Sequence, residues 1–546
     1  MNKKLLNIIL ASVVIVGYMF RILEVNTRSL EYDEIWTLQH YFKCSFTEIF
    51  TNLETPNNHP LHTLCAKKLY GIFGEKSWAL RLPALISGIL LLFAALWTSQ
   101  KYFRSKYAKI AFVALTAFSP YLVHYSNTAR GYSMQALFVF LLIFLLFSYY
   151  CKPLIAKALL IFVAASAILF TIYSGLIFVC AAGGAYLFAL FDWKSWKSEF
   201  KKNLFLFAAG ADFFIVAALW LGLNWEKITK AQQFGFKIIS IPHFFQSVGH
   251  LIYDLNLTLP LIIVTAALIL RPKDRFLRFG AVFTVLIFLS ILVTKCGPER
   301  VYLPMITVVL FCAARGIEVI GARFCKIRYI ELVLTLGICS PLIFMQSEIE
   351  RISPPDWRYF VTLLEKNTQE NCYIIYPAGD TYPIYVNYKE SALNLAKRSE
   401  NYLTTAIFVS PAEQKISCLA KDKSEKTLEL GKATVIYPLS NNYKMSCYSL
   451  EVLNAESFRQ GTPLIAFFVF MPKRQYFAVL KQLNSKDDCY TLNTFFNQDY
   501  IANNGGEPAR SIPLFIPETS QPYSYYSNLA EACGNTLKFY ILKYEQ

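Results

Sequence analysis

Two adjacent carboxylates near the start of the chain are the strongest candidates for acid–base chemistry. Asp33 and Glu34 follow the first apolar stretch by a few residues and have tyrosine and tryptophan close by in the sequence. A carboxylate in such a place can act as general base for an attacking hydroxyl or amine. The alternative is a helix start, where acids are stabilised by the positive end of the helix dipole. We predict Asp33 as the base and Glu34 as its orienting neighbour or the alternate base.

Histidine and arginine mark the approach to the second apolar stretch. His59 precedes Pro60, and a residue before proline is restricted to an extended backbone, which fixes the direction of its side chain. His59 is therefore either a positioned ligand contact or an ordinary residue of a surface loop. Arg81 either binds phosphate or places its charge at the membrane interface while its stem lies in lipid.

Two short connections between later apolar stretches carry the remaining candidates. Arg130 and Tyr132 lie in or just after the first connection, and Lys295, Arg300 and Tyr302 lie in or just after the second. Cations at these positions have two interpretations, a phosphate ligand or anchoring at the interface.

The elements that must position these residues are membrane spans. The chain has 546 residues, of which 55% are hydrophobic and 16% charged, whereas about a quarter of the residues of a soluble protein are charged. Composition therefore excludes an ordinary soluble enzyme and predicts an α-helical polytopic membrane protein. A window of about 19 residues finds the apolar stretches that can cross a bilayer. Eleven transmembrane helices are predicted, at 5–23, 80–99, 110–124, 132–151, 156–173, 175–191, 203–221, 255–270, 279–294, 301–320 and 329–346.

Alternate loops between these stretches are strongly basic, which predicts the orientation of the chain. The N-terminus and five loops hold 19 basic and three acidic residues, and Lys and Arg are retained on the cytoplasmic side. The N-terminus is then cytoplasmic and the tail lies outside. No small-residue cleavage site follows the first stretch, so we predict that it is retained. These loops carry a net +16, which equals the charge of the whole chain, so the charge reports topology rather than a nucleic-acid partner.

The tail differs from the rest in composition. Residues 347–546 carry 20 basic and 21 acidic residues and are long enough to bury a core. We predict a transmembrane domain at 1–350 and an extracytoplasmic, periplasmic α/β domain at 351–546, because strand-like segments alternate with helical ones. The predicted strands lie at 372–377, 404–409 and 463–470. Five cysteines of the tail allow one or two disulfides, whose pairing is open.

The candidate residues as a set resemble the GT-C superfamily of membrane glycosyltransferases, in particular bacterial family 39-like relatives of dolichyl-phosphate-mannose protein mannosyltransferases and aminoarabinose transferases. The resemblance covers roughly residues 1–350. The resemblance rests on the order of the motifs and on their predicted location on the same side of the membrane. Two departures are the missing second proline after Pro60 and one inserted residue, Val301. The matching segments are Asp33-Glu34, His59-Pro60-Leu61, Phe73-Gly74 with Ala79 to Pro83, Pro120 with Ser126 to Tyr132, and Arg300 to Pro304.

The resemblance implies a transferase that takes a sugar from a polyprenyl-phosphate donor of the undecaprenyl-phosphate type, with inversion, in a bacterial inner membrane. The acceptor lies on the outer face and stays open among lipid A or another glycolipid, a polysaccharide and a protein. No cofactor is predicted. Some relatives use a divalent metal, but no His/Asp/Glu cluster here has ligand spacing. The residues expected to contact the donor phosphate or head group are His59, Arg81, Arg130, Tyr132, Lys295, Arg300 and Tyr302.

Two other functions remain possible from the sequence. A multispan transporter would show inverted repeats and Gly/Pro-broken spans in matching halves, and neither is evident. A non-catalytic protein that binds polyprenyl lipids as an assembly factor would be separated only by an activity measurement. Asp212 lies inside the seventh apolar stretch, and an acid at that depth is either functional or hydrogen-bonded to a neighbouring helix.

Overall fold

The structure, a computed structural model, describes most of the first 349 residues and ten strands of the tail. The chain divides into two compact units, one of Met1–Thr27 with Trp36–Ile349 and one of Arg28–Ile35 with Glu350–Gln546. The predicted domain boundary near residue 350 stays a prediction. The described residues are 2–23, 25, 30–53, 57–74, 76–230, 240–294, 299–327, 329–345 and 349, together with the strands between Cys372 and Lys543.

The described residues before the tail are almost entirely helical. The α-helices are α1 (Lys3–Leu23), α2 (Tyr32–Tyr41), α3 (Phe46–Thr51), α4 (Pro60–Phe73), α5 (Ser77–Tyr102), α6 (Lys106–Phe118), α7 (Pro120–His124), α8 (Tyr132–Cys151), α9 (Ile155–Thr171), α10 (Leu176–Ala189), α11 (Trp196–Lys202), α12 (Leu204–Leu223), α13 (Trp225–Lys230), α14 (Ile241–Asp254), α15 (Thr258–Leu270), α16 (Arg275–Thr294), α17 (Leu303–Arg323) and α18 (Ile330–Cys339). Short 3-10 helices lie at Tyr173–Gly175, Trp193–Ser195, Glu299–Tyr302 and Ser340–Phe344.

A helix lies at each of the eleven predicted apolar stretches. Within the described residues, six helices are long and apolar enough to cross a membrane. Two bent pairs raise that number to eight, one of them α14 with α15, which meet at 105°. These helices are those of a multi-pass membrane protein. The number of eleven spans and the orientation of the chain stay predictions.

A buried arginine stabilises the break between α6 and α7. Pro120 lacks the backbone N–H that would bond the carbonyl of Thr116. Arg21 of α1 supplies donors instead: Nη2 donates to the Thr116 carbonyl at 3.0 Å, and Nη1 donates to Ala117 at 2.7 Å and Gly17 at 2.9 Å. Because Arg21 is fully buried, it fixes α1 against the point where the chain turns into the hairpin before α8.

That hairpin lies close against α5. The Ser126 hydroxyl donates to the Leu122 carbonyl at 2.6 Å and lies 3.2 Å from the Ser133 hydroxyl. A methyl group on Gly88 of α5 would come within 2.1 Å of the Ser126 oxygen, so only glycine permits this approach. The hairpin that carries Arg130 is therefore held by its own turns and by α5.

The second unit contains the strands. They are β1 (Cys372–Pro377), β2 (Thr405–Ser410), β3 (Lys415–Leu419), β4 (Glu425–Glu429), β5 (Ala433–Ile436), β6 (Met445–Tyr448), β7 (Leu464–Phe470), β8 (Phe477–Asn484), β9 (Cys489–Phe496) and β10 (Leu537–Lys543). One six-stranded sheet has the order β10-β7-β1-β2-β3-β4, and two hairpins pair β5 with β6 and β8 with β9.

The three strands predicted from the sequence are present as β1, β2 and β7. In the sheet β1 is parallel to both neighbours, with Ile374 opposite Ala406 and Ala466. Parallel neighbours require crossover connections. The helices predicted for this domain lie outside the described residues and stay predictions. The disulfides also stay a prediction.

Candidate functional site

A buried asparagine fixes the loop that leads into α4. Asn58 is 1% exposed, and its Nδ2 donates to the carbonyls of Ile49 and Asn52, both at 2.7 Å. Its Oδ1 accepts a hydrogen bond from the Thr63 hydroxyl at 3.2 Å. The side chain thus supplies hydrogen-bond donors to backbone carbonyls of this loop. His59, the next residue, is the N-cap of α4, so the hydrogen bonds of Asn58 fix the position from which α4 begins.

The His59 imidazole contacts the hairpin before α8. The backbone N–H of Gly131 donates to His59 Nδ1 at 2.7 Å, and the ring of Tyr132 meets the imidazole edge-on with centroids 5.0 Å apart. Because Nδ1 accepts, the proton of a neutral ring is assigned to Nε2. A methyl group on Gly131 would come within 3.0 Å of Nδ1 and 2.8 Å of the Thr171 methyl. Glycine at 131 is therefore needed for this contact.

Arg130 is a buried cation between the first loop and its own hairpin. It is 3% exposed, and its Nη1 donates to the Asn57 carbonyl at 3.0 Å. The same carbonyl accepts a hydrogen bond from the Thr37 hydroxyl at 3.3 Å. The guanidinium carbon lies 5.7 Å from the centroid of the Tyr132 ring, within the range of a cation–π interaction.

The positive charge of this cluster resides on arginine. Burial holds the pKa of His59 well below its usual 6.5, and the charges of Arg130, His62 and Arg300 lower the pKa of His59 further. The imidazole is therefore neutral at pH 7. An anion at this cluster could accept charge-assisted hydrogen bonds from arginine and a neutral hydrogen bond from histidine.

The lowered pKa of His59 predicts loss of stability in acid. Below about pH 6.5 the unfolded chain binds a proton at His59 and the folded chain does not, so the free energy of unfolding falls by up to about 1.4 kcal/mol per pH unit. His59→Asn keeps an acceptor for the Gly131 N–H and removes the titration. We expect the unfolding temperature of this variant in detergent to fall less between pH 7.5 and 5.5 than that of the native chain. Parallel curves would show that His59 does not titrate in this way.

Helix α2 carries the two predicted acids in its first turn. The Glu31 N–H donates to Glu34 Oε2 at 2.7 Å, and the Glu34 N–H donates to the Glu31 carbonyl at 3.0 Å. Glu34 is fully buried, and Asp33 is partly exposed. The helix-start interpretation therefore describes Glu34, and Asp33 is the carboxylate more accessible to a substrate.

The other predicted residues are placed less completely. Arg81 is fully buried and donates from Nη1 to the Val25 carbonyl at 3.1 Å, which ties α5 to the segment after α1. Arg300 and Tyr302 lie in the 3-10 helix that leads into α17. Arg300 is close enough to lower the pKa of His59, and Tyr302 is buried. Lys295 lies outside the described residues.

Several residues that position the site were not among the candidates named from the sequence. Asn58 and Gly131 each adjoin a predicted residue, so the only signal was their place beside His59 and Arg130. Arg21 carried a clearer signal, because an arginine within an apolar stretch is costly unless it is paired or solvated. Within the part of the chain that the structure describes, no group of three or more His, Cys, Asp and Glu side chains could hold a metal ion.

No protein-family model matches the chain, and no curated protein matches it. Solved structures do match. ArnT from Cupriavidus metallidurans in the apo state is 13% identical, with 73% of this chain and 92% of that chain covered and a TM-score of 0.44. The same protein bound to undecaprenyl phosphate is 13% identical, with 74% of this chain and 93% of that chain covered and a TM-score of 0.44. The oligosaccharyltransferase from Archaeoglobus fulgidus in complex with zinc and sulfate is 14% identical, with 69% of this chain and 61% of that chain covered and a TM-score of 0.47.

Proposed function

We propose that this chain is an integral-membrane glycosyltransferase that moves a sugar from a polyprenyl-phosphate donor, of the undecaprenyl-phosphate type, to a cell-envelope acceptor on the outer face of the membrane. The observation that supports this most is the 2.7 Å hydrogen bond from the Gly131 N–H to His59 Nδ1. It joins two segments 72 residues apart, and both match motifs of the GT-C resemblance. Motifs that converge in one buried, cationic cluster are arranged as a binding site requires.

The cluster suits the phosphate of such a donor. When the bond between the anomeric carbon and the phosphate oxygen breaks, negative charge grows on the departing polyprenyl phosphate. Arg130 and Arg300 supply positive charge that is already in place before the reaction, which lowers the barrier. The neutral His59 offers an Nε2–H donor, and the Tyr132 ring holds both His59 and Arg130 in position.

The acceptor is activated by a carboxylate in this proposal. As the acceptor oxygen or nitrogen attacks the anomeric carbon from the side opposite the phosphate, its proton passes to Asp33. One glycosidic bond forms, the sugar–phosphate bond breaks, and the configuration inverts. Glu34 supports this role because its bond to the Glu31 N–H fixes the first turn of α2.

The proposal also includes a location. The chain lies in a bacterial inner membrane with about eleven spans, a cytoplasmic N-terminus and a periplasmic domain at 351–546. The basic charge of alternate loops supports this orientation. The acceptor remains open among lipid A or another glycolipid, a polysaccharide and a protein.

The mass of the lipid retained by the protein tests the proposal. We expect the chain, purified from native membranes in mild detergent, to retain a polyprenyl phosphate or its glycosylated form, whose mass gives lipid length and head group together. Retention of phospholipid alone would contradict the proposal. Retention of the donor without transfer of its sugar in reconstituted membranes would instead support the assembly-factor alternative.

A further inference from the structure

Asp212 lies on the outside of a membrane-spanning helix. It is the ninth residue of α12, which is 20 residues long and meets the length and composition of a membrane span. The side chain of Asp212 is exposed. Among the described residues it has no hydrogen-bond partner and no ion pair, so the neighbouring helices do not satisfy it.

The packing of α12 explains this exposure. The helix buries Phe213, Ala217 and Trp220 against a cluster that includes Ala165 and Leu169 of α9. Asp212 lies about 100° around the helix from Phe213, because successive residues are separated by that angle. It therefore lies to the side of the face that packs against α9.

The exposed residues around Asp212 have the spacing of a helix–helix interface. Intervals of three and four residues, repeated along one face, are those with which two helices pack side by side. Small residues lie one turn before Asp212 and directly beside it, at Ala208 and Ala211, and such residues let a second backbone approach closely in a membrane. We call this face the α12 seam. It consists of Phe205, Ala208, Asp212, Ile215, Leu219 and Gly222, all exposed.

We propose that the α12 seam binds a transmembrane helix of another protein, and that this helix carries a lysine or arginine at the depth of Asp212. A carboxylate near the middle of a span is costly when it faces hydrocarbon. A lipid chain has no donor to offset that cost. A second copy of the chain, in the same orientation, would bring two Asp212 carboxylates level with each other, where like charges repel strongly in a medium of low dielectric constant. Charge complementarity therefore favours a cationic partner helix.

This inference is independent of the proposed transfer reaction. The transfer mechanism assigns no role to Asp212, so the loss of a partner helix would leave the chemistry of the donor site unchanged. The seam is an assembly surface.

Synthetic transmembrane peptides test the seam directly. The labelled full chain is reconstituted in liposomes with a peptide of leucine and alanine, about 20 residues long, that has one central lysine. The matched peptide has leucine at that position. Energy transfer should show that the lysine peptide binds roughly tenfold more tightly than the leucine peptide. Asp212→Leu should remove the difference.

Two further variants control for folding and for the sign of the charge. Phe214→Leu changes an exposed residue of α12 outside the seam and should bind the lysine peptide as the native chain does. Asp212→Lys should prefer a peptide with a central aspartate. Equal binding of the lysine and leucine peptides by the native chain would overturn the proposal, as would unchanged binding by Asp212→Leu.

The native membrane supplies the second test. A photo-crosslinking residue at Ile215 should capture a helix that has a lysine or arginine near its middle, and Asp212→Leu should abolish the capture. Capture of a helix without such a cation would contradict the proposal. Energy transfer between two labelled copies of the chain that is lost in Asp212→Leu would contradict the proposal of a cationic partner. It would show that the seam forms a dimer of this chain.

Discussion

Asp33→Asn is expected to slow sugar transfer strongly and to leave donor binding intact. Asparagine has nearly the same shape as aspartate but cannot take the proton of the attacking acceptor, and a positioned general base contributes roughly 10² to 10⁴ in rate. The turnover number should fall by that factor while the affinity for polyprenyl phosphate is unchanged. The measurement is the rate of sugar transfer in membranes, with the donor that purifies with the protein.

Glu34→Gln is the matched control for this experiment. The glutamine side-chain oxygen can still accept the Glu31 N–H that Glu34 Oε2 accepts at 2.7 Å, so the start of α2 is preserved and most of the transfer rate should remain. The unfolding temperature of both variants shows whether they are folded. If Asp33→Asn transfers sugar at the native rate, the catalytic assignment is wrong. If only Glu34→Gln loses activity, Glu34 is the general base and Asp33 is its neighbour.

Hydropathy predicted where the helices lie because burial in lipid is what it measures. The stretch predicted at 203–221 is α12, Leu204–Leu223, and the stretch at 132–151 is α8 with the same bounds. The stretch at 110–124 is instead two helices, α6 and α7, separated at Ser119. A scale of transfer free energies does not register the missing N–H of Pro120, which ends the hydrogen-bond ladder there.

Contacts between distant segments could not be predicted from spacing. Arg21 bonds a carbonyl 95 residues away, and Arg130 bonds one 73 residues away. Such pairs depend on how the helices pack, which no local pattern contains. The resemblance to a family did group His59, Arg130 and Tyr132 as expected donor contacts. The structure brings these residues together, with the Tyr132 ring beside both the His59 imidazole and the Arg130 guanidinium.

The exposed position of Asp212 also could not be predicted from the sequence. The sequence left two interpretations open, a functional acid or a hydrogen bond to a neighbouring helix, because it does not say which face of α12 packs inward. Burial of Phe213 and Ala217 against α9 decides that question. The partner helix that we propose for this carboxylate lies outside the described helices, so the periodicity of an apolar stretch cannot reveal it.

Arg130→Gln is expected to weaken the binding of undecaprenyl phosphate by roughly 10- to 100-fold, since a hydrogen bond to a charged group is worth about 1.5–3 kcal/mol. Glutamine can still donate to the Asn57 carbonyl, so the hairpin should remain folded. Arg323→Gln is the control, because Arg323 is an exposed arginine in the last turn of α17 and should not affect the site. Unchanged affinity in Arg130→Gln would remove Arg130 from the proposed phosphate site.

The same variant has a second readout that a purely structural role would not produce. The charge of Arg130 lowers the pKa of His59, so Arg130→Gln should raise it, while burial still holds it below the usual value. The loss of stability in acid should then end at a higher pH, because the folded chain itself takes up the proton sooner. An unfolding temperature measured across pH in the native chain and in Arg130→Gln gives the shift. If affinity falls and the pH dependence does not move, Arg130 binds the phosphate without setting the protonation state of His59.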